Sequence, residues 1–269
     1  MKLAVISDLH VDVSRGYPVL EAVAQAARNK AADILVIGGD ISNEPDRSMS
    51  AVEWLQAELG HPVYFVPGNH DIYDTEGLYS STRHVYEALR RHPQCLSGRD
   101  ATLGQDWVLL GDLFWYDYSF ADTEKYTRNQ FRIQFHEGRM WNDHRFIKWG
   151  EDDQTVSDRF ISNMRQRLEK HSHKKKIVVS HMVMNNDFVN WGQFDNVDFF
   201  SAFLGSVNIG ALMEEFKVNH NYMGHVHLRR EKSTACCHYA CPCLGGYREW
   251  ESDDVFREAE NVMHMQELE

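Results

Sequence analysis

Five of six short β-rich apolar runs in this chain end in residues able to bind a metal ion, and that pattern constrains the fold most. Lys2 to Ser7, Asp33 to Gly38 and Pro62 to Val66 are separated by helical patterns at Val19 to Arg28 and Ser48 to Leu59. Short strands alternating with helices predict βαβ units, hence an α/β fold. Right-handed crossovers make the strands parallel and gather their C-terminal ends on one edge, where open α/β sheets bind ligands. Asp8 and His10 follow the first run, Asp40 the second, and Asn69 and His70 the third. A second set covers Trp107 to Gly111, Lys176 to Ser180 and Val218 to Met223, with a helix predicted from Ser157 to His171. His181 follows the second of these runs, and His225 and His227 follow the third. Polar groups spread from residue 8 to residue 227 predict a single catalytic domain over residues 1–269.

The polar residues form an ordered set: Asp8-x-His10, Gly39-Asp40, Gly68-Asn69-His70-Asp71, Ser180-His181 and Gly224-His225-x-His227. Imidazole suits zinc and iron, while carboxylate and amide oxygens suit manganese and harder ions, so the mixture describes a site for divalent metals. Using so many ligands takes two ions. On extended backbone, the members of an Asp-x-His or His-x-His pair point to the same side and can reach one cavity. The glycines at 39, 68 and 224 permit tight turns that bring backbone close to an ion.

This ordered set resembles the calcineurin-like metallophosphoesterase superfamily, whose pattern is D-x-H, GD, GNH, H and GH-x-H. The likeness covers residues 4–227 in outline, and Cys243 to Tyr247 with Glu249 is similar to the Gly-Tyr stretch that often follows the last motif. The resemblance implies a four-layer α/β/β/α sandwich. It implies that Asp8, His10 and His227 hold one ion, that Asn69, His181 and His225 hold the other, and that Asp40 bridges them. Manganese, iron or zinc would fit. A shared carboxylate offsets the repulsion of two dications about 3.5–4 Å apart. The implied reaction is attack of a metal-bridging hydroxide on a phosphomonoester or phosphodiester. His70 would be the general acid, and Asp71 would orient it.

Departures from relatives narrow the substrate. Phosphoprotein phosphatases of the superfamily follow Gly-Asp with Asp-Arg-Gly, whereas here Asp40 leads into Ile41-Ser42-Asn43-Glu44. Their third-motif Glu is replaced by Asp71, and the His-His-Pro of many cyclic-nucleotide phosphodiesterases is replaced by Ser180-His181-Met182. DNA-repair exonucleases open on a similar Ile-Ser-Asp-Leu-His. A formal charge of -12 would nevertheless repel a long phosphate backbone, so nucleic acid is an unfavourable substrate and a nuclease the weaker reading. A small phosphate ester is the expected substrate. A non-catalytic scaffold on the same fold would have lost ligands, and none is missing. Candidate phosphate-binding arginines are Arg15, Arg128, Arg132 and Arg139.

Two aromatic-rich stretches fall outside the alternation, residues 114–150 and residues 183–205 with Trp191 and Phe194. They read either as a satellite core or as a cap over the substrate. Cys236, Cys237, Cys241 and Cys243 lack the paired Cys-x-x-Cys spacing of zinc knuckles, so the expectation is reduced cysteines buried in a strand. No basic-then-apolar leader opens the chain and no long apolar run follows, which predicts a cytoplasmic protein away from the membrane.

Overall fold

The computed structural model describes residues 1–14, 16–189 and 196–269. Arg15, Trp191 and Phe194 therefore lie outside the described residues. The chain opens with β1 (Lys2–Ile6), α1 (Val19–Asn29), β2 (Ile34–Ile37), α2 (Pro45–Leu59), β3 (Val63–Phe65) and α3 (Thr82–Arg91). After β4 (Ala101–Leu103) and β5 (Trp107–Asp112) come α4 (Arg128–Ile133), a hairpin of β6 (Phe135–His136) and β7 (Arg139–Met140), and α5 (Asp143–Phe146). Next are α6 (Asp153–Lys170), β8 (Lys175–Ser180), α7 (Val197–Phe200), α8 (Val207–Glu215) and β9 (His220–Tyr222). The chain closes with β10 (Arg229–Ser233), β11 (His238–Pro242), α9 (Val255–Val262) and β12 (His264–Glu267).

The strands form two main sheets, ordered β12-β1-β2-β3 and β10-β11-β9-β8-β5-β4. As the crossover rule requires, β1, β2 and β3 are mutually parallel, and so are β5, β8, β9 and β11. Strand alternation then builds the layers. Leu3, Val5, Ile34 and Val36 pack with Leu109, Ile177 and Val179 in the core between the sheets. The intervening Ala4, Ile6, Leu35, Ile37, Leu110 and Val178 face the helices. Both faces of these strands are covered, which is why they read as continuous apolar runs rather than alternating ones. This is the expected four-layer α/β/β/α sandwich. A bridge between Ser7 and Cys243 joins the two sheets beside Asp8.

The strands β10 and β12 carry no apolar alternation, and the sequence pattern misses them. All five residues of the edge strand β10 are exposed, and β12 pairs antiparallel with β1. Charged residues on an exposed edge discourage pairing with another chain.

The aromatic residues of 114–150 largely join the main core. Trp115 and Phe131 are fully buried, and Tyr116, Phe120 and Tyr126 nearly so. Phe188, Phe199 and Phe203 belong to the same cluster. The Trp115 ring lies 5.4 Å from that of Trp149, and its indole N–H donates to Asp153 at 2.7 Å. Replacing Trp115 with Ala should therefore lower the unfolding free energy by about 3–5 kcal/mol in urea titrations. A loss below about 1 kcal/mol would mean that this segment is packed on the fold rather than into it.

Candidate metal centre

The predicted ligands meet on the edge where the parallel strands end. Asp8 and His10 follow β1, Asp40 follows β2, Asn69 follows β3, His181 follows β8, and His225 and His227 follow β9. To turn their side chains inward, Asp8, His10, Asp40, His225 and His227 take left-handed φ values of 57°, 43°, 53°, 73° and 50°. Non-glycine residues rarely adopt that conformation unless the surroundings compel it, and such strain concentrates at functional sites. Gly39, with φ 92°, fits the expected tight turn. Gly68 serves instead for close approach, since a Cβ there would overlap the Asp40 carboxylate.

Two ligand groups result. Asp8, His10, Asp40 and His227 can reach one ion, and Asp40, His181 and His225 another, so Asp40 belongs to both. In the first, His10 Nε2 and His227 Nε2 are 3.0 Å apart, and His227 Nε2 is 3.4 Å from Asp8 Oδ1. In the second, Asn69 Oδ1 lies 3.0 Å from His181 Nε2 and 2.9 Å from His225 Nδ1.

The outward-facing ring nitrogens fix these orientations. His181 Nδ1 meets the Gly38 carbonyl at 2.9 Å, His225 Nε2 meets the Phe203 carbonyl at 3.1 Å, and His227 Nδ1 meets Glu249 at 2.7 Å. Each of those partners accepts a hydrogen bond from the ring, so in the neutral imidazole the opposite nitrogen has its lone pair aimed inward. Lone pairs about 3 Å apart repel unless a cation or a proton lies between them. The donor set therefore fits divalent ions.

The electrostatics agree. Burial would raise the Asp40 carboxyl, but His181 and His70 outweigh it and hold it well below the usual range. Asp8 is lowered in the same way, its burial opposed by the hydrogen bond and charge of His227. Burial pushes His10 and His225 down to about 4, so both are neutral donors. Against burial, Asp40 lifts His181 to about 9, and Asp8 and Glu249 lift His227 to about 11.

His70 stands beside the first group, its Nε2 3.9 Å from Asp40 Oδ2. The expected orienting contact from Asp71 is corrected by the structure. Asp71 Oδ1 accepts from the Ile41 and Ser42 amides and from the Ser48 hydroxyl, and Oδ2 accepts from the Gly68 amide. Its carboxylate thus faces the loop backbone, because burial forces it onto nearby N–H donors. The contact with His70 comes from Asn43, whose Oδ1 lies 2.6 Å from Nδ1. Asn43 is held in turn by donation to Asp12 at 2.6 Å.

A second residue absent from the motifs is Asp143, buried in the insertion. Its Oδ1 accepts from Asn69 Nδ2 at 2.8 Å and from the Tyr73 hydroxyl at 2.7 Å, while Oδ2 accepts from Trp141 at 2.9 Å. By accepting a hydrogen bond from the Asn69 amide N–H, it turns the carbonyl oxygen toward His181 and His225. An isolated Asp in an aromatic stretch gives no sequence signal of this.

Two hollows flank His227. One of about 480 Å³ is lined by Val13, His70, Tyr247 and Arg248, and another of about 280 Å³ by Arg139, Trp141, Phe200 and Leu204. Arg139 is thus the one described candidate arginine at the centre's rim; Arg128 instead donates to Gln154. Arg248 was not among the sequence candidates.

A model of the family described as calcineurin-like phosphoesterase matches residues 1–229. The fold is similar to the phosphopantetheinyl hydrolase of Mycobacterium tuberculosis, with a TM-score of 0.78, 18% identity, and 93% of this chain and 91% of that one covered. It is also similar to a dimetal phosphatase from Danio rerio, with a TM-score of 0.54, 16% identity, and 90% and 86% covered. A Danio rerio protein named as a transmembrane protein with a metallophosphoesterase domain is 29% identical over 120 residues. The match covers 42% of this chain and 26% of that relative's length. Among the described residues, no helix is long and apolar enough to cross a membrane.

Replacing Asp143 with Ala should weaken metal retention by about 10–100-fold, because Asn69 loses its restraint. In calorimetric titrations with manganese, Asp143→Ala should add little to Asn69→Ala. Full additivity would show that the two do not act as a unit.

Proposed function

The chain belongs to the calcineurin-like phosphoesterase family, and we propose that it hydrolyses a small phosphate ester at a pair of divalent ions. One ion would be held by Asp8, His10 and His227, the other by Asn69, His181 and His225, with Asp40 shared. The convergence of inward-facing lone pairs on two sides of the Asp40 carboxylate carries this reading. Manganese, iron or zinc suits the mixed nitrogen and oxygen donors. When bound, such ions supply positive charge against the phosphoryl oxygens and lower the pKa of water so that it is nucleophilic at neutral pH.

The protein's own groups complete the reaction. His70 projects beyond the ligands with Nδ1 fixed by Asn43, so a protonated ring presents Nε2–H toward the leaving oxygen. Asp71 acts through the backbone, holding the loops that carry Asp40 and Asn69 in register. The hollows on either side of His227 suit a phosphate with an organic group on each side, which favours a diester over a monoester. The name of the phosphopantetheinyl hydrolase adds phosphate esters with a long organic arm to the substrates worth assaying.

We read residues 1–269 as one catalytic domain and the stretches 114–150 and 183–205 as insertions, with Trp141 and Phe200 at its rim. Trp141 and Phe200 support a covering role, since both line the smaller hollow beside His225. All five cysteines are free, in keeping with a reducing, cytoplasmic setting.

Hydrolysis of nitrophenyl phosphate and bis-nitrophenyl phosphate with added manganese tests the reading. Asp40→Asn should abolish release from both. His70→Ala should cost about 10²–10⁴ in kcat on an alkyl ester, whose leaving oxygen needs a proton, and far less on a nitrophenyl ester. Equal losses on both esters would remove His70 from the general-acid role. No metal-dependent release from any ester would overturn the hydrolase itself.

A further inference from the structure

The four clustered cysteines do not act as one group. Cys241 and Cys243 are buried in the apolar cluster on the helix side, with sulfurs 3.4 Å apart and Cys241 Sγ 3.8 Å from the Gly224 carbonyl. Cys236 and Cys237 lie in the turn between β10 and β11, against the C-terminal end of α8. There Cys236 Sγ is 2.8 Å from Glu214 Oε2, and the sulfurs of Cys236 and Cys237 are 3.8 Å apart. Glu214, Cys236 and Cys237 offer ligand atoms that all lie within 4.8 Å of one another.

We infer that Glu214, Cys236 and Cys237 form a second cation site, separate from the hydrolytic centre, for a thiophilic divalent ion such as zinc. Zn–S bonds of about 2.3 Å in tetrahedral geometry set two thiolates about 3.8 Å apart, which the sulfur separation here matches without movement. The carboxylate is fixed for the task. Glu214 Oε1 accepts from the Thr234 and Tyr239 hydroxyls, both at 2.9 Å, and this leaves Oε2 turned toward the sulfurs. Such outer contacts are what orient ligands in protein metal sites.

The surroundings also favour a cation. The Met213 carbonyl lies 3.5 Å from Cys237 Sγ at the negative end of α8, where positive charge is favoured. Two sulfur donors suit zinc or cadmium, whereas magnesium and calcium prefer all-oxygen sites. Cys236 is partly exposed and provides the entry path.

Thiolate-to-metal charge transfer distinguishes this site from the hydrolytic one, whose proposed ligands contain no sulfur. The full-length protein, stripped with a chelator and resupplied with manganese, is titrated with cadmium or cobalt and followed in the ultraviolet. Wild type should show a sulfur band saturating at one equivalent. The band should vanish in Cys236→Ser/Cys237→Ser and persist in Cys241→Ser/Cys243→Ser. Glu214→Gln should keep the band with affinity weakened at least about tenfold. Manganese-dependent hydrolysis by Cys236→Ser/Cys237→Ser shows that this variant is folded. Should it fold poorly, Cys236→Ser alone keeps one thiolate and should roughly halve the band. Absence of the band in wild type, or its survival in Cys236→Ser/Cys237→Ser, overturns the site.

Discussion

Asp8 and Asp40 remain ionised in the interior, with 0% and 2% of their surfaces exposed. Much of the sheet edge answers to those two charges. A buried carboxylate without compensation costs several kcal/mol, so positive charge has to come to it. The backbone helps by pointing amides inward: the His225 N–H donates to Asp8, and the His70 N–H donates to Asp40. Imidazoles complete the shell, and protons on His181 and His227 balance the charge when no cation is bound. The left-handed φ values at Asp8, Asp40 and His227 are accepted because these contacts overdetermine the loops. A chain of net charge -12 can thus present a local site for an anionic ester, since divalent cations bound there would reverse the sign of the field.

How legible this was in the sequence depended on the range of the interaction. The proposed ligands sit within a few residues of strand ends, and strand ends follow from local apolar runs, so Asp8 through His227 could be read off in order. Burial on both strand faces kept those runs long enough to recognise. The strands β10 and β12 were hidden because they are edges with mixed or charged faces, recruited by pairing partners rather than by their own pattern. Residues that orient the ligands were hidden for another reason. Asp143 reaches Asn69 across 74 positions of sequence, and nothing local to Asp143 marks it as different from a solvated acid. Asp71 shows the reverse error: adjacency to His70 suggests a contact that the chain direction forbids, because the two open a short 3-10 turn (His70–Ile72) that points neighbouring side chains apart.

The aromatic segments carry both readings at once, and the reason is geometric. The rings of Trp115, Phe131 and Phe199 are buried and hold the insertion to the sandwich, so it is not a loose lid. Further along, the same packing brings Trp141 to within 5.8 Å of the His225 ring and Asp143 to Asn69. A stably packed insertion can then place a hydrogen-bond acceptor behind a ligand with the accuracy that a mobile loop lacks.

Strand periodicity also decides what the cysteines can do. Cys237, Tyr239, Cys241 and Cys243 fall at every second position and belong to one apolar cluster facing the helices. At about 3.3 Å per residue, Cys237 and Cys243 are separated by about 20 Å along the strand, which rules out a single four-cysteine knuckle. What remains are two neighbouring pairs with different surroundings. Cys243 is fully enclosed beside Asp8, where its sulfur behaves as a small apolar group and its thiol is held far above its usual range by burial and by Cys241. Cys236 and Cys237 stand where the strand begins and the turn lets adjacent side chains converge, and only there do a carboxylate and a route from solvent meet the sulfurs.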